Sequence, residues 1–118
     1  MKYKIYCDGA ASNNGYENAI GGWGFVILDE NEEIIAEGAK RVDGATNNRM
    51  ELMAAIEALE LLKEPCEVDL YSDSKYLTDA INKGWLESWK KNNWKKSDKK
   101  SVLNIDLWQE LLSLLEIH

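Results

Sequence analysis

The sequence predicts a single α/β domain over residues 1–118, built on a mixed sheet with helices packed against it. Two observations carry this. Residues 2–40 contain three strand-like runs joined by polar connections, the pattern of an antiparallel meander. Residues 46–72 then read as a long amphipathic helix followed by a fourth alternating run. A strand returning after a helical connection is placed to lie parallel beside the first, and such crossovers are almost always right-handed. At 118 residues the chain is long enough for one real core and too short for two.

The first strand is read from Lys2 to Asp8, with Tyr3, Ile5 and Cys7 on one face and Lys4, Tyr6 and Asp8 on the other. Asp8-Gly9 closes it, and residues 10–20 read as a polar loop containing Ser12, Asn13, Asn14 and Gly15. The second strand begins at Gly21-Gly22-Trp23-Gly24 and runs to Leu28, its glycines leaving room for close backbone approach. A turn at residues 29–32 leads to the third strand, Glu33 to Lys40. The main helix is expected over Thr46–Lys63, stopped by Pro65. Asn48 can cap it, with Glu51 three residues on as the reciprocal carboxylate of a capping box. Leu52, Ile56, Leu59 and Leu62 form its apolar stripe, while Ala54, Ala55 and Ala58 keep Glu51's side narrow. The fourth strand alternates from Glu67 to Ser72. Asp73-Ser74 opens a short helix through Ile81, with Asp73 a ready N-cap. A second short helix spans Leu86–Lys91. The last, Asn104–Leu115, sets Trp108, Leu111, Leu112 and Leu115 on one core-facing side.

Composition narrows the class. Apolar residues at 45% and charged residues at 30% suit a globular domain. The N-terminus has no apolar core of a signal peptide, and no run approaches the ~20 apolar residues of a membrane span. Cys7 and Cys66 are expected as free buried thiols, and a cytoplasmic location follows as the default. With no Cys-x-x-Cys and a single histidine, His118, nothing points to zinc. The net charge of −7 opposes a nucleic-acid partner until its distribution is seen. From Lys83 to Lys100 there are seven lysines and two acids, interleaved with tryptophans, so this segment is a basic handle on an acidic body. A lysine-rich solvated loop is the plainer alternative.

In this layout Asp8 and Asp73 finish neighbouring parallel strands at one end of the sheet, where open α/β sheets place ligands. Glu51 enters over the same edge from the helix. Three carboxylates gathered without basic partners repel one another and call for a cation. Oxygen-only ligation suits Mg²⁺ or Mn²⁺, with water and substrate phosphate completing the shell. Such a site activates water for phosphodiester hydrolysis. No phosphate-binding Gly-x-x-x-x-Gly-Lys loop and no nucleophile–histidine pair is present to support nucleoside triphosphate chemistry or triad acyl transfer.

Tyr6-Cys7-Asp8-Gly9, Gly21-Gly22-Trp23-Gly24, Thr46-Asn47-Asn48-Arg49-Met50-Glu51-Leu52, Tyr71-Ser72-Asp73-Ser74 and Asp106-Leu107-Trp108 together resemble bacterial-type ribonuclease H, in order and over essentially the whole chain. The resemblance implies hydrolysis of the RNA strand of RNA–DNA hybrids, leaving 3′-hydroxyl and 5′-phosphate ends, with two Mg²⁺ ions and Mn²⁺ as substitute. It makes Asp8, Glu51 and Asp73 catalytic metal ligands, three of the family's four. It assigns Asn14, Asn47 and Asn48 to the hybrid's minor groove, where the ribose 2′-hydroxyl distinguishes RNA. Thr46, with Asn14, matches a pocket for a DNA-strand phosphate. Trp85, Trp89 and Trp94, with Lys90 and Lys91, match the basic protrusion that grips the DNA strand. Packing is the competing role for Trp85 and Trp89. Lys75 stands where many relatives carry an amide.

The family pattern continues with a fifth strand and a last helix, bearing a histidine and the fourth carboxylate, an aspartate. No residues of this chain match them, and His118 falls too early to be that histidine. The expected consequence is a bare fourth-strand edge, filled by a second copy of the chain or by a missing segment. The alternative function is a module that binds RNA–DNA hybrids without cutting them, for want of the fourth carboxylate. Integrase- or resolvase-like chemistry on the same fold is a third reading, opposed by the Thr46–Leu52 block.

Overall fold

The computed structural model describes residues 2–12, 20–44, 46–95 and 104–118. Strands β1 (Lys2–Ser12), β2 (Ile20–Leu28) and β3 (Ile34–Asp43) precede helix α1 (Asn47–Glu60) and strand β4 (Glu67–Tyr71). Helices α2 (Lys75–Asn82), α3 (Trp85–Lys91) and α4 (Ile105–Ile117) follow. The four strands form one sheet in the order β3-β2-β1-β4. β1 pairs antiparallel with β2 from Lys4 opposite Leu28 to Ser12 opposite Ile20. It pairs parallel with β4 from Lys2–Glu67 to Tyr6–Tyr71. The mixed α/β sheet expected from the sequence is the one observed.

The period of two along β1 sorts its side chains. Ile5 and Cys7 are buried, and across the ladder so are their partners Ile27 and Phe25. These meet Leu52, Ile56 and Leu59 of α1 in a single core cluster. Each such side chain contributes about 1.5–3 kcal/mol by leaving water. Tyr6, on the opposite parity, is 46% exposed and stacks on Tyr71 of β4 at 4.8 Å between ring centroids. Ala54, Ala55 and Ala58 are fully buried, so α1 seats close to its neighbours on that side. On its other flank lies α4, whose Trp108 is fully buried. The indole Nε1 of Trp108 donates to the Tyr76 hydroxyl at 3.0 Å, satisfying the one polar atom it carries inside.

Several boundaries differ from the sequence expectation, each for a local reason. β1 does not stop at Asp8 but continues to Ser12, because the small residues Gly9–Ala11 pair with Gly21–Trp23 across the antiparallel ladder. Asp8 therefore sits just past the point where β4 leaves β1. α1 ends at Glu60 rather than Lys63: Leu61 and Leu62 turn their N–H groups onto Ala58 and Leu59, the tightened i→i−3 bonds of a closing turn. Its cap is Thr46, not Asn48. Likewise Ser74, not Asp73, caps α2. Both cysteines are free, Cys7 buried and Cys66 half-buried. Among the described residues, no helix is long and apolar enough to cross a membrane.

Candidate active site

The entry of α1 is fixed from two directions. Thr46 is extended (φ −119°, ψ 156°), and its hydroxyl accepts from the Arg49 N–H at 3.3 Å. Asn47, the first helical residue, accepts from the Ala11 N–H through Oδ1, tying the helix start to the extended end of β1. With the cap at Thr46, Glu51 lies in the second helical turn and has no capping duty. Arg49 is turned the other way. Its guanidinium donates to both carboxylate oxygens of Asp106 (3.0 and 2.9 Å) and to Asn104 Oδ1 (3.1 Å). That fork holds Asp106 below the usual carboxylate range and raises Arg49. The cation nearest Glu51 in sequence is thus committed to α4.

Gly9 sets how closely helix and strand approach. A Cβ at Gly9 would lie 2.4 Å from the Met50 carbonyl carbon and 2.6 Å from the Glu51 nitrogen. Only a residue without a side chain lets the backbones touch there. This contact carries Glu51 over β1 beside Asp8, whose Oδ1 accepts from the Gly9 N–H at 3.0 Å. Glu51 is half-buried, and its pKa is raised. Burial is the largest cause, followed by the negative charge of Asp8 and, more weakly, that of Asp73. The Gly9 N–H and the Ser72 hydroxyl oppose the rise; the latter lies 3.4 Å from Oε2. Beneath them Cys7 is pushed up to about 12 by burial and by the charges of Glu51 and Asp8, so it is a neutral thiol at ordinary pH.

Glu51 is therefore within electrostatic range of both Asp8 and Asp73. Among the described residues none of the three joins an ion pair with lysine or arginine. Nor, among the described residues, does any trio of acid, histidine or cysteine side chains close into a cage ready to hold a metal ion. The donor set nevertheless fits a hard divalent cation: carboxylate oxygens, uncompensated, with the most buried one resisting its charge. Two clefts flank them. One, of about 950 Å³, is lined by Asp8 and Gly9 of β1 together with Trp23 and Lys40. The other, about 440 Å³, is bounded by Tyr6, Tyr71, Ser72 and Asp73.

The expected substrate-contacting residues distribute as follows. Asn14 lies outside the described residues, as do Lys96, Lys99 and Lys100 of the basic segment. Thr46 and Asn47 are engaged as above, and Asn48 and Lys75 are exposed. Trp85 is 41% exposed, with the Lys83 ammonium 5.6 Å above its ring. Trp89 instead packs edge-on against buried Trp108 at 5.4 Å, and Trp94 also packs onto the core. Lys90 pairs with Glu116 at 3.1 Å, and Lys91 is exposed. Sequence reasoning assigns no role to Ser72 beyond the end of the fourth strand, and it reads Gly9 as the end of the first strand rather than as a contact with α1. A glycine directly after a strand acid was the available signal for the close helix approach; nothing singled out Ser72.

A family model described as RNase H matches residues 1–118. A protein called Ribonuclease H from Chlorobium chlorochromatii is 56% identical over 114 residues, covering 97% of this chain and 75% of its own length. One of the same name from Acetivibrio thermocellus is 53% identical over 117 residues, covering 99% and 76%. Among solved structures, the PFV RNase H domain superimposes with a TM-score of 0.77 at 24% identity, over 100% of this chain and 75% of that one. LC11-RNase H1, solved in complex with an RNA/DNA hybrid, gives 0.59 at 25% identity, over 98% and 75%. The chain thus spans about three-quarters of the length of these relatives.

Proposed function

The chain belongs to the ribonuclease H family, and from that premise we propose that it is an endoribonuclease that hydrolyses the RNA strand of RNA–DNA hybrids, with Asp8, Glu51 and Asp73 holding Mg²⁺. The observation that carries the reading is the uncompensated acid group at the sheet edge, where burial and two like charges raise the pKa of Glu51. Divalent ions bound there, two in the fullest form of the reading and replaceable by Mn²⁺, would supply an activated water and stabilise the leaving oxygen. The protein's own residues do the positioning. Glu51 rides on α1 against Gly9, Asp8 lies within β1 just past its last pairing with β4, and Asp73 follows β4 after Ser72. Asn47 and Asn48 at the α1 entry serve the RNA-bearing minor groove and Thr46 a phosphate of the DNA strand; Asn14, assigned to both by the resemblance, lies outside the described residues. Trp85, Trp89, Trp94, Lys90 and Lys91 serve the DNA strand, with Trp85 the ring most open to contact, and Lys75 is a further substrate-binding position. β4 is an edge of the described sheet. A fifth strand beside it, from a second copy of the chain or another segment, completes the reading, as does a cytoplasmic setting for the two free thiols.

The test is incubation with an end-labelled RNA–DNA hybrid, duplex DNA and single-stranded RNA in Mg²⁺. Cleavage confined to the hybrid, and lost in Asp8→Asn, is the expected result. Tight hybrid binding with no cleavage in Mg²⁺ or Mn²⁺ would replace the enzyme with a non-cutting hybrid-binding module.

A further inference from the structure

Ser72 follows β4 directly and precedes Asp73, one proposed metal ligand, and its hydroxyl lies 3.4 Å from Oε2 of Glu51, another. Its hydroxyl has one proton to place. The Ser74 N–H lies 3.1 Å from Ser72 Oγ, and because a backbone N–H only donates, the oxygen accepts there. The proton then has two candidate acceptors, Glu51 Oε2 at 3.4 Å and the sulfur of Cys7. A neutral thiol accepts weakly, and the Cys7 thiol is itself directed at the Tyr71 carbonyl, 3.7 Å away. A carboxylate outcompetes it. The Ser74 N–H that fixes the Ser72 oxygen is itself held in place, since Ser74 Oγ accepts from the Leu77 N–H at 3.2 Å.

We propose that Ser72 is a positioning residue for the acid site: its hydroxyl donates to Glu51 Oε2 and keeps that carboxylate aimed at the space shared with Asp8 and Asp73. This rests on the metal-dependent reading above. Without the hydroxyl, Glu51 loses a favourable partner that opposes the repulsion of two neighbouring carboxylates. The carboxylate then swings away, and the cost falls on metal binding rather than on the fold. Outer partners that orient a metal ligand typically matter by 10–100-fold in affinity.

The experiment uses the full chain and compares wild type, Ser72→Thr and Ser72→Val, the last two matched in size and differing in the hydroxyl. The Mg²⁺ concentration at the midpoint of the metal-induced rise in Tm is read for each, alongside kcat and KM on an RNA–DNA hybrid. Ser72→Thr is expected to share the wild-type midpoint. Ser72→Val is expected to need about tenfold more Mg²⁺, with kcat reduced and KM unchanged. Ser72→Ala repeats the comparison without added bulk should the valine variant fold poorly. A purely structural role would lower the metal-free Tm of these variants and leave the Mg²⁺ midpoint in place, and that result overturns the proposal. A wild-type chain showing no Mg²⁺-induced rise overturns the metal reading itself, a failure visible before any Ser72 variant is compared.

Discussion

Replacing Gly9 with alanine tests the contact that delivers Glu51 to Asp8. The added Cβ would sit 2.4 Å from the Met50 carbonyl carbon and 2.6 Å from both the Met50 oxygen and the Glu51 nitrogen. Carbon pairs settle near 3.5–4.0 Å, so α1 must retreat by about 1 Å. All three atoms belong to backbone, and α1 is backed by α4, so no flexible tip absorbs the overlap. Overpacking of this kind costs about 1–3 kcal/mol, and a backbone clash belongs at the upper end. For a chain of this length that is a Tm lower by roughly 10 °C. The site suffers more than the fold, because misplacing a catalytic group by about 1 Å can remove two orders of magnitude in rate. Thermal denaturation and hybrid cleavage measured on Gly9→Ala check both figures. Gly84→Ala is the control: its φ is +75° with no atom within 4 Å of a new Cβ, so it loses only about 1–2 kcal/mol from backbone strain. A Gly9→Ala protein as stable and active as wild type would refute the reasoning.

Two further predictions concern charge and aromatics. Because the Glu51 pKa is raised in the fold, the native state holds a proton that the unfolded chain gives up sooner. Its ionisation therefore lowers stability as pH climbs from the ordinary carboxylate range through the raised value, and the penalty persists at neutral pH. In metal-free buffer Glu51→Gln should melt above wild type at pH 7 and lose that advantage in acid, as followed by circular dichroism across pH; a neutral-pH Tm below wild type would contradict the sign. Trp85 and Trp89 should separate. Trp89→Ala, losing its contact with Trp108, should cost about 3 kcal/mol of stability in urea denaturation. Trp85→Ala should leave stability nearly unchanged and weaken hybrid binding by about 1 kcal/mol, roughly fivefold in Kd.

The alternation of β1, the apolar stripe of α1 and the strand–helix–strand order were legible because burial imposes periods of two and 3.6 on any sequence that packs this way. That topology also accounts for Glu51 lying near Asp8 and Asp73. What stayed hidden was decided by contacts between distant residues. Thr46 and Asn48 are both competent caps; Thr46 takes the role where Asn47 is held by the Ala11 N–H. The residues after Asp8 read as loop because glycine and alanine carry no strand signal, yet β2 supplied a partner for each. Asn104 caps no N–H of α4, since its side chain is spent on Arg49 and Tyr76. Ser72 looked like any polar residue at a strand end until Glu51 was placed beside it.

The most direct measure of the central claim is calorimetric titration of Mg²⁺ into the wild-type chain and into Asp8→Asn, Glu51→Gln and Asp73→Asn. If the three acids serve one ion-binding centre, wild type binds and each single neutralisation weakens that binding severely. Wild-type affinity retained in any of the three would remove that residue from the centre, and retention in all would dissolve it.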